Sequence, residues 1–150
     1  MHYYSHNACT YGSIILGMNN QHYITVIAGV IENDSRILIA KRKKNSFSGG
    51  KWEFPGGKLE DNETPEECLK RELMEEFGIE SEIGDFICST RHPLNCQTTI
   101  DLAVYKVSYI SGEFNLNDHD EIRWIRRSEL NRYDFPEADY AVVKRLMEGL

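Results

Sequence analysis

The sequence predicts one mixed α/β (α+β) domain with antiparallel strand pairs, and three observations carry that expectation. Residues 23–31, YITVIAGVI, and 36–42, RILIAKR, are β-branched and aliphatic runs on either side of the turn END, the pattern of a hairpin. Residues 64–78 contain a helix start, helically spaced apolar residues and a helix stop. Further β-rich runs follow that helix, so strands and helices interleave along 150 residues, the length of one ordinary domain.

Taken in order, residues 1–22 show no clear period and are expected to be an extension of uncertain structure, leaving residues 23–150 as the domain. His2, His6 and His22 are spaced too irregularly to be read as a metal site. After the hairpin comes a loop, KNSFSGG, and then KWEF. The helix follows, and after it the β-rich segments DFICSTRH, TTIDLAVYKVSYI and EIRWIRR. The end, PEADYAVVKRLMEGL, places Ala138, Val142, Leu146 and Leu150 at helical spacing. Neither a repeat nor a Pro/Gly/Ser-rich linker divides the chain.

Composition restricts the function. A formal net charge of −7 argues against binding nucleic-acid polymers, which need a surplus of Lys and Arg to displace counterions. No apolar run approaches the ~20 residues of a membrane span, so no membrane is expected as a partner. Cys9, Cys68, Cys88 and Cys96 form no CxxC pair, and no secretory signal is visible, so reduced thiols and a cytoplasmic location are expected. Cys68 falls within the helix and reads as a small buried hydrophobe.

The stretch GGKLEDNETPEECLKRELMEEFGI places eight acidic residues in 24 positions. Thr64 is the expected N-cap, Pro65 the first helical residue and Glu67 the partner that completes a capping box, with Gly78 as the stop. At ~100° per residue from Leu69, Leu73 and Phe77 fall near ~40° and ~80° and form the core stripe, while Glu75, Glu72 and Glu76 fall near ~240°, ~300° and ~340°. Like charges at these spacings repel unless something positive lies between them. A solvated acidic face is the plain alternative to a cation site. Pro55, Gly56 and Gly57 precede the helix as a turn in which backbone can approach a ligand closely.

Together these residues resemble the signature of the Nudix hydrolases: Gly57, Glu63, Arg71-Glu72-Leu73, Glu75-Glu76 and Gly78-Ile79 match every specified position across 23 residues. That is far more specific than a lone glycine motif. Residues 23–150 look like a MutT-type nucleoside triphosphate pyrophosphohydrolase, which implies an α/β/α sandwich around a mixed sheet. The reaction implied is hydrolysis of a nucleoside triphosphate, ordinary, oxidised or modified, to monophosphate and pyrophosphate. Magnesium is the cofactor implied, with manganese as a substitute, and a monomer or homodimer is expected.

By the same resemblance Glu72, Glu75 and Glu76 are metal-binding carboxylates, joined by the carbonyl of Gly56. Glu72 is the first choice as base and Asp118, six residues before Trp124, the second choice and an extra ligand. Glu63 and Arg71 are implied to tie loop to helix as an ion pair. Arg42 and Lys58 are implied phosphate contacts, with Glu53, Phe54 and Gly57 of the WEFPGGK segment also at the substrate, and Phe47 is a candidate stacking residue. Asp139 stands where oxidised-guanine members carry Asn; ionised, it would only accept hydrogen bonds, which keeps CTP or modified dCTP open as a substrate. Its alternative role is a charge at a helix start. An ADP-ribose or dinucleotide pyrophosphatase, and a non-catalytic nucleotide sensor, are the rival functions.

Overall fold

The computed structural model describes residues 20–149; His2, His6, Cys9, Leu150 and most of the expected extension lie outside them. Seven strands and two helices follow in the order β1 (His22–Asn33), β2 (Arg36–Arg42), β3 (Trp52–Glu53), β4 (Gly56–Lys58), α1 (Pro65–Phe77), β5 (Glu80–Pro93), β6 (Thr98–Ser111), β7 (His119–Ile125) and α2 (Tyr140–Met147). Short 3-10 turns at Arg127–Arg132 and Glu137–Asp139 precede α2.

β1 organises the sheet. It pairs antiparallel with β2 through Glu32↔Ile37, antiparallel with β4 through Ala28↔Gly56, and parallel with β6 from His22↔Thr98 to Ile31↔Val107. β5 closes the far edge on β6, while β3 and β7 pair with β2. Both faces of β1 are covered, which is why its run is continuously apolar rather than alternating. Ile27 and Ile31 pack on one side with Leu69, Leu73 and Phe77 of α1. Ala28 and Val30 pack on the other with Val142 and Leu146 of α2. Two helical layers around a mixed sheet are the expected fold.

α1 forms as its caps require. The Thr64 hydroxyl accepts from the Glu67 amide at 3.1 Å, and the Glu67 carboxylate accepts from the Thr64 amide at 2.8 Å. Gly78 ends the helix in the left-handed region at φ 69°, where a side chain would be strained. Leu69, Leu73 and Phe77 are wholly buried, and so is Cys68.

Three expectations need correction. β5 begins at Glu80 rather than Asp85, because the polar SEIGD stretch pairs with the end of β6 across bulges that interrupt its alternation. GGK is not only a turn but a short strand on β1. Cys68 and Cys88 are free thiols, but Cys96 is disulfide-bonded, so the cysteines are not all reduced. Among the described residues no helix is long and apolar enough to cross a membrane.

Candidate active site

The acidic stretch resolves into carboxylates with different surroundings. Glu63 and Arg71 form a two-point pair, Nε to Oε1 at 2.6 Å and Nη2 to Oε2 at 3.0 Å, and Nη2 also donates to the Lys58 carbonyl at 3.2 Å. This ties the loop to α1 as expected, and the Arg71 hydrogen bond pulls the Glu63 carboxyl down to about 2. Arg71 Nη1 reaches on to Glu72 Oε1 at 3.0 Å and Glu75 Oε2 at 3.4 Å. A guanidinium therefore supplies part of the positive charge these neighbouring carboxylates require.

Glu72 is placed by a glycine. A Cβ on residue 57 would collide with the Glu72 carboxylate, so only a residue without a side chain lets that group lie against the backbone of β4. Burial there raises the Glu72 carboxyl above its ordinary value, against the pull of Arg71. Glu75 is exposed.

Glu76 is the outlier. It is buried, its Oε2 has no hydrogen-bond partner, and burial raises its carboxyl well above the ordinary range, with the negative charges of Glu53, Glu72 and Asp118 adding to the effect. A small cavity of about 20 Å³ is lined by Glu76 with Arg42, Ser46, Glu53, Asp118 and His119. Asp118 stands exposed just ahead of β7, on the rim of this cavity. Among the described residues no three His, Cys, Asp or Glu side chains already converge as a metal cluster. The donors are nevertheless carboxylate oxygens, the type a hard cation takes.

Arg42 comes into this cavity because β2 shifts register against β7 between Lys41 and Arg42. Its Nη1 donates to Glu53 Oε2 at 2.9 Å and its Nε to the Phe47 carbonyl at 3.0 Å. Glu53 Oε1 meets His119 Nε2 at 2.8 Å, and the His119 ring stacks on Phe77 of α1 at 5.2 Å. Arg42, Glu53 and His119 are all buried. His119 escaped sequence reasoning; its only signal was its place directly after Asp118.

A second cavity of about 50 Å³ shares Arg42 and Glu53 with the first and extends over Phe54, Gly56, Leu102, Pro136 and Asp139. Phe54 stacks on Phe135 at 5.2 Å beneath it. Asp139 is the N-cap residue of α2 but makes no side-chain hydrogen bond to it. Its carboxyl opens onto the pocket yet is largely shielded from bulk water, and burial, reinforced by Glu53 and opposed by Arg42, pushes it up to about 8. That shift favours the protonated form, which has both a donor and an acceptor, over the acceptor-only carboxylate.

Two expected contacts lie elsewhere. Phe47 lines a neighbouring open cavity with Lys51 and His92 rather than either of these two. Lys58 is exposed and lines neither.

Residues 21–146 match the NUDIX domain. The chain is 34% identical over 124 residues to the CTP pyrophosphohydrolase of Escherichia coli (strain K12), covering 83% of this chain and 91% of that protein. It is 32% identical over 124 residues to the 8-oxo-dGTP diphosphatase of the same strain, covering 82% and 95%. The solution structure of the E. coli ORF135 protein superposes with a TM-score of 0.78 at 32% identity, over 88% of this chain and 94% of that one.

Proposed function

The chain belongs to the NUDIX family of hydrolases acting on phosphoric anhydrides, and from that membership we propose that residues 23–150 cleave a nucleoside triphosphate to monophosphate and pyrophosphate. The observation that carries this reading is Glu76: a buried carboxylate oxygen without a partner, in a cavity shared with Asp118 and a fixed guanidinium. Isolated buried charge is costly unless neutralised.

Glu72, Glu76, Asp118 and the Gly56 carbonyl would hold magnesium, or manganese in its place, with Glu75 drawn in from solvent. Such an ion would supply neutralisation of phosphate charge and acidification of the attacking water. The remaining work falls to side chains of this chain. Arg42 presents a guanidinium to phosphate oxygens at the join of the two cavities. Glu72, held against the backbone of β4 beside Gly57, is the side chain that would take the proton of the attacking water. Asp118 is the competing base. Phe54 and the aliphatic wall of the larger cavity exclude water around the base.

The relatives named for CTP and for 8-oxo-dGTP bracket the substrate readings. Protonated Asp139 offers one donor and one acceptor, a set that fits N3 and N4 of cytosine and O6 and N1 of guanine alike. The proposal therefore covers both, with sanitising of the nucleotide pool as the role. A cytoplasmic location belongs to this reading because free nucleotides are its substrate.

The test is a panel of CTP, dCTP derivatives, dGTP, 8-oxo-dGTP and ADP-ribose with magnesium, scored for pyrophosphate against orthophosphate and monophosphate products. Pyrophosphate release from a triphosphate is expected. Turnover of ADP-ribose alone, or of nothing on the panel, would sink the reading.

A further inference from the structure

Glu53 has two carboxylate oxygens, and the fold uses each for a different purpose. Oε2 receives Arg42 Nη1 at 2.9 Å and Oε1 faces His119 Nε2 at 2.8 Å, with all three residues at most 8% exposed. The His119 Nδ1 is buried without a partner, so in the neutral ring the hydrogen belongs on Nε2, where it donates to Glu53. The ring is gripped by Phe77, stacked at 5.2 Å and 10° between planes, from the same helix that carries Glu72 and Glu76. At the other end of the chain of contacts, Arg42 lines both cavities. We propose that His119 is a positioning residue which, by holding Glu53, aims the Arg42 guanidinium into the join of the two cavities. That this guanidinium meets a phosphate there rests on the function proposed above.

The physical reason is the cost of a half-satisfied buried carboxylate. Without His119, one Glu53 oxygen loses its partner where water has little access, and the carboxylate turns to recover one. Arg42 Nη1 then loses the acceptor at 2.9 Å that sets the plane of its fork, and the guanidinium shifts relative to the cavities. A ring that merely fills space beside Phe77 would have no such effect on Arg42.

Arginine Nε–H nuclear magnetic resonance spectra of the ligand-free protein test this directly, with Arg42→Lys identifying the Arg42 signal. Wild type and His119→Gln, whose amide donates from a similar reach, are expected to show a sharp Arg42 signal. His119→Ala and the shorter His119→Asn are expected to lose or broaden it, and the Asn variant keeps the test open where the Ala variant does not fold. In parallel, His119→Asn is expected to raise KM and weaken binding of an α,β-methylene nucleoside triphosphate about tenfold with kcat changed much less, and to add little in an Arg42→Lys background. An Arg42 signal unchanged in the Asn variant, one equally lost in the Gln variant, or additive losses in the double variant would overturn the proposal. A signal that responds as expected in a protein that hydrolyses no triphosphate upholds the positioning and removes the function assigned to the site instead.

Discussion

Glu76, which is buried, and Asp139, which is half-buried at the pocket, both hold their protons more firmly than ordinary carboxyls, but their surroundings give them different consequences. For Glu76 the folded carboxyl is raised, so the stability it contributes is full below its unfolded value and is lost as pH rises. Glu76→Gln is therefore expected to melt no lower than wild type in chelator near neutral pH, to lose most turnover, and to lose the stabilisation wild type gains on adding magnesium. Melting curves with and without magnesium check this; equal gains in both proteins would remove Glu76 from the metal site. For Asp139 the same sign holds between its unfolded value of 3.8 and about 8. Asp139→Asn should gain melting temperature over wild type at alkaline pH, and the gain should shrink towards pH 3.8. Its ranking of CTP, dCTP derivatives, dGTP and 8-oxo-dGTP by kcat/KM should resemble wild type below about pH 8 and separate above it, where wild type loses its donor. Glu72→Gln is expected to lower kcat by ~10²–10⁴-fold, with Asp118→Asn the smaller loss; the reverse order exchanges their roles. The acidic residues of α1 were legible as a cluster from spacing, and Asp118 and Asp139 as candidates only through the family resemblance. Their protonation was not, because the burial that raises each carboxyl and the nearness of Glu53 arise only from long-range packing.

At the scale of elements, α1 was readable to its ends because its signals are local: Thr64, Glu67, Gly78 and the stripe Leu69, Leu73, Phe77 lie within one helix. The start of β5 was not, because Glu80 to Ile83 pair with residues of β6 far along the chain. Between them, the loop before α1 is fixed by Glu63 and Arg71, a side-chain pair 12% and 25% exposed. The Glu63 carboxyl is lowered to about 2, so its contribution to stability is present above the unfolded value of 4.5 and is lost as pH falls towards about 2. Glu63→Gln is accordingly expected to lower the melting temperature at neutral pH, with the gap to wild type closing through that acid window. It should also lower turnover, because Arg71 released from Glu63 is free to settle on Glu72 and Glu75. A gap that persists unchanged at pH 2 would mean the pair is not what anchors the loop.

At the scale of the molecule, the order of strands and helices was legible but their arrangement was not. Nothing local in YITVIAGVI says that it runs parallel to a strand some 75 residues later or that helices cover both of its faces; those are outcomes of long-range packing. The shared strand has a mechanical consequence. Ile31 of β1 belongs to the core cluster beneath α1 and Leu146 of α2 to the cluster on the opposite face of the sheet, both wholly buried, yet both clusters include residues of β1. Damage to one layer should therefore loosen the other. Ile31→Ala and Leu146→Ala are each expected to cost about 2–5 kcal/mol, the range for such truncations in cores. The two tryptophans report the layers separately, Trp52 lying in the α2 side and Trp124 packing on the α1 side. In Trp52→Phe and Trp124→Phe backgrounds, the remaining fluorophore should give the same denaturant midpoint for each truncation, coincident with the loss of helical circular dichroism. Midpoints that separate, with Trp124 responding to Ile31→Ala and Trp52 to Leu146→Ala, would show two layers unfolding independently, and the candidate site residues would then sit on a hinge rather than on a common sheet.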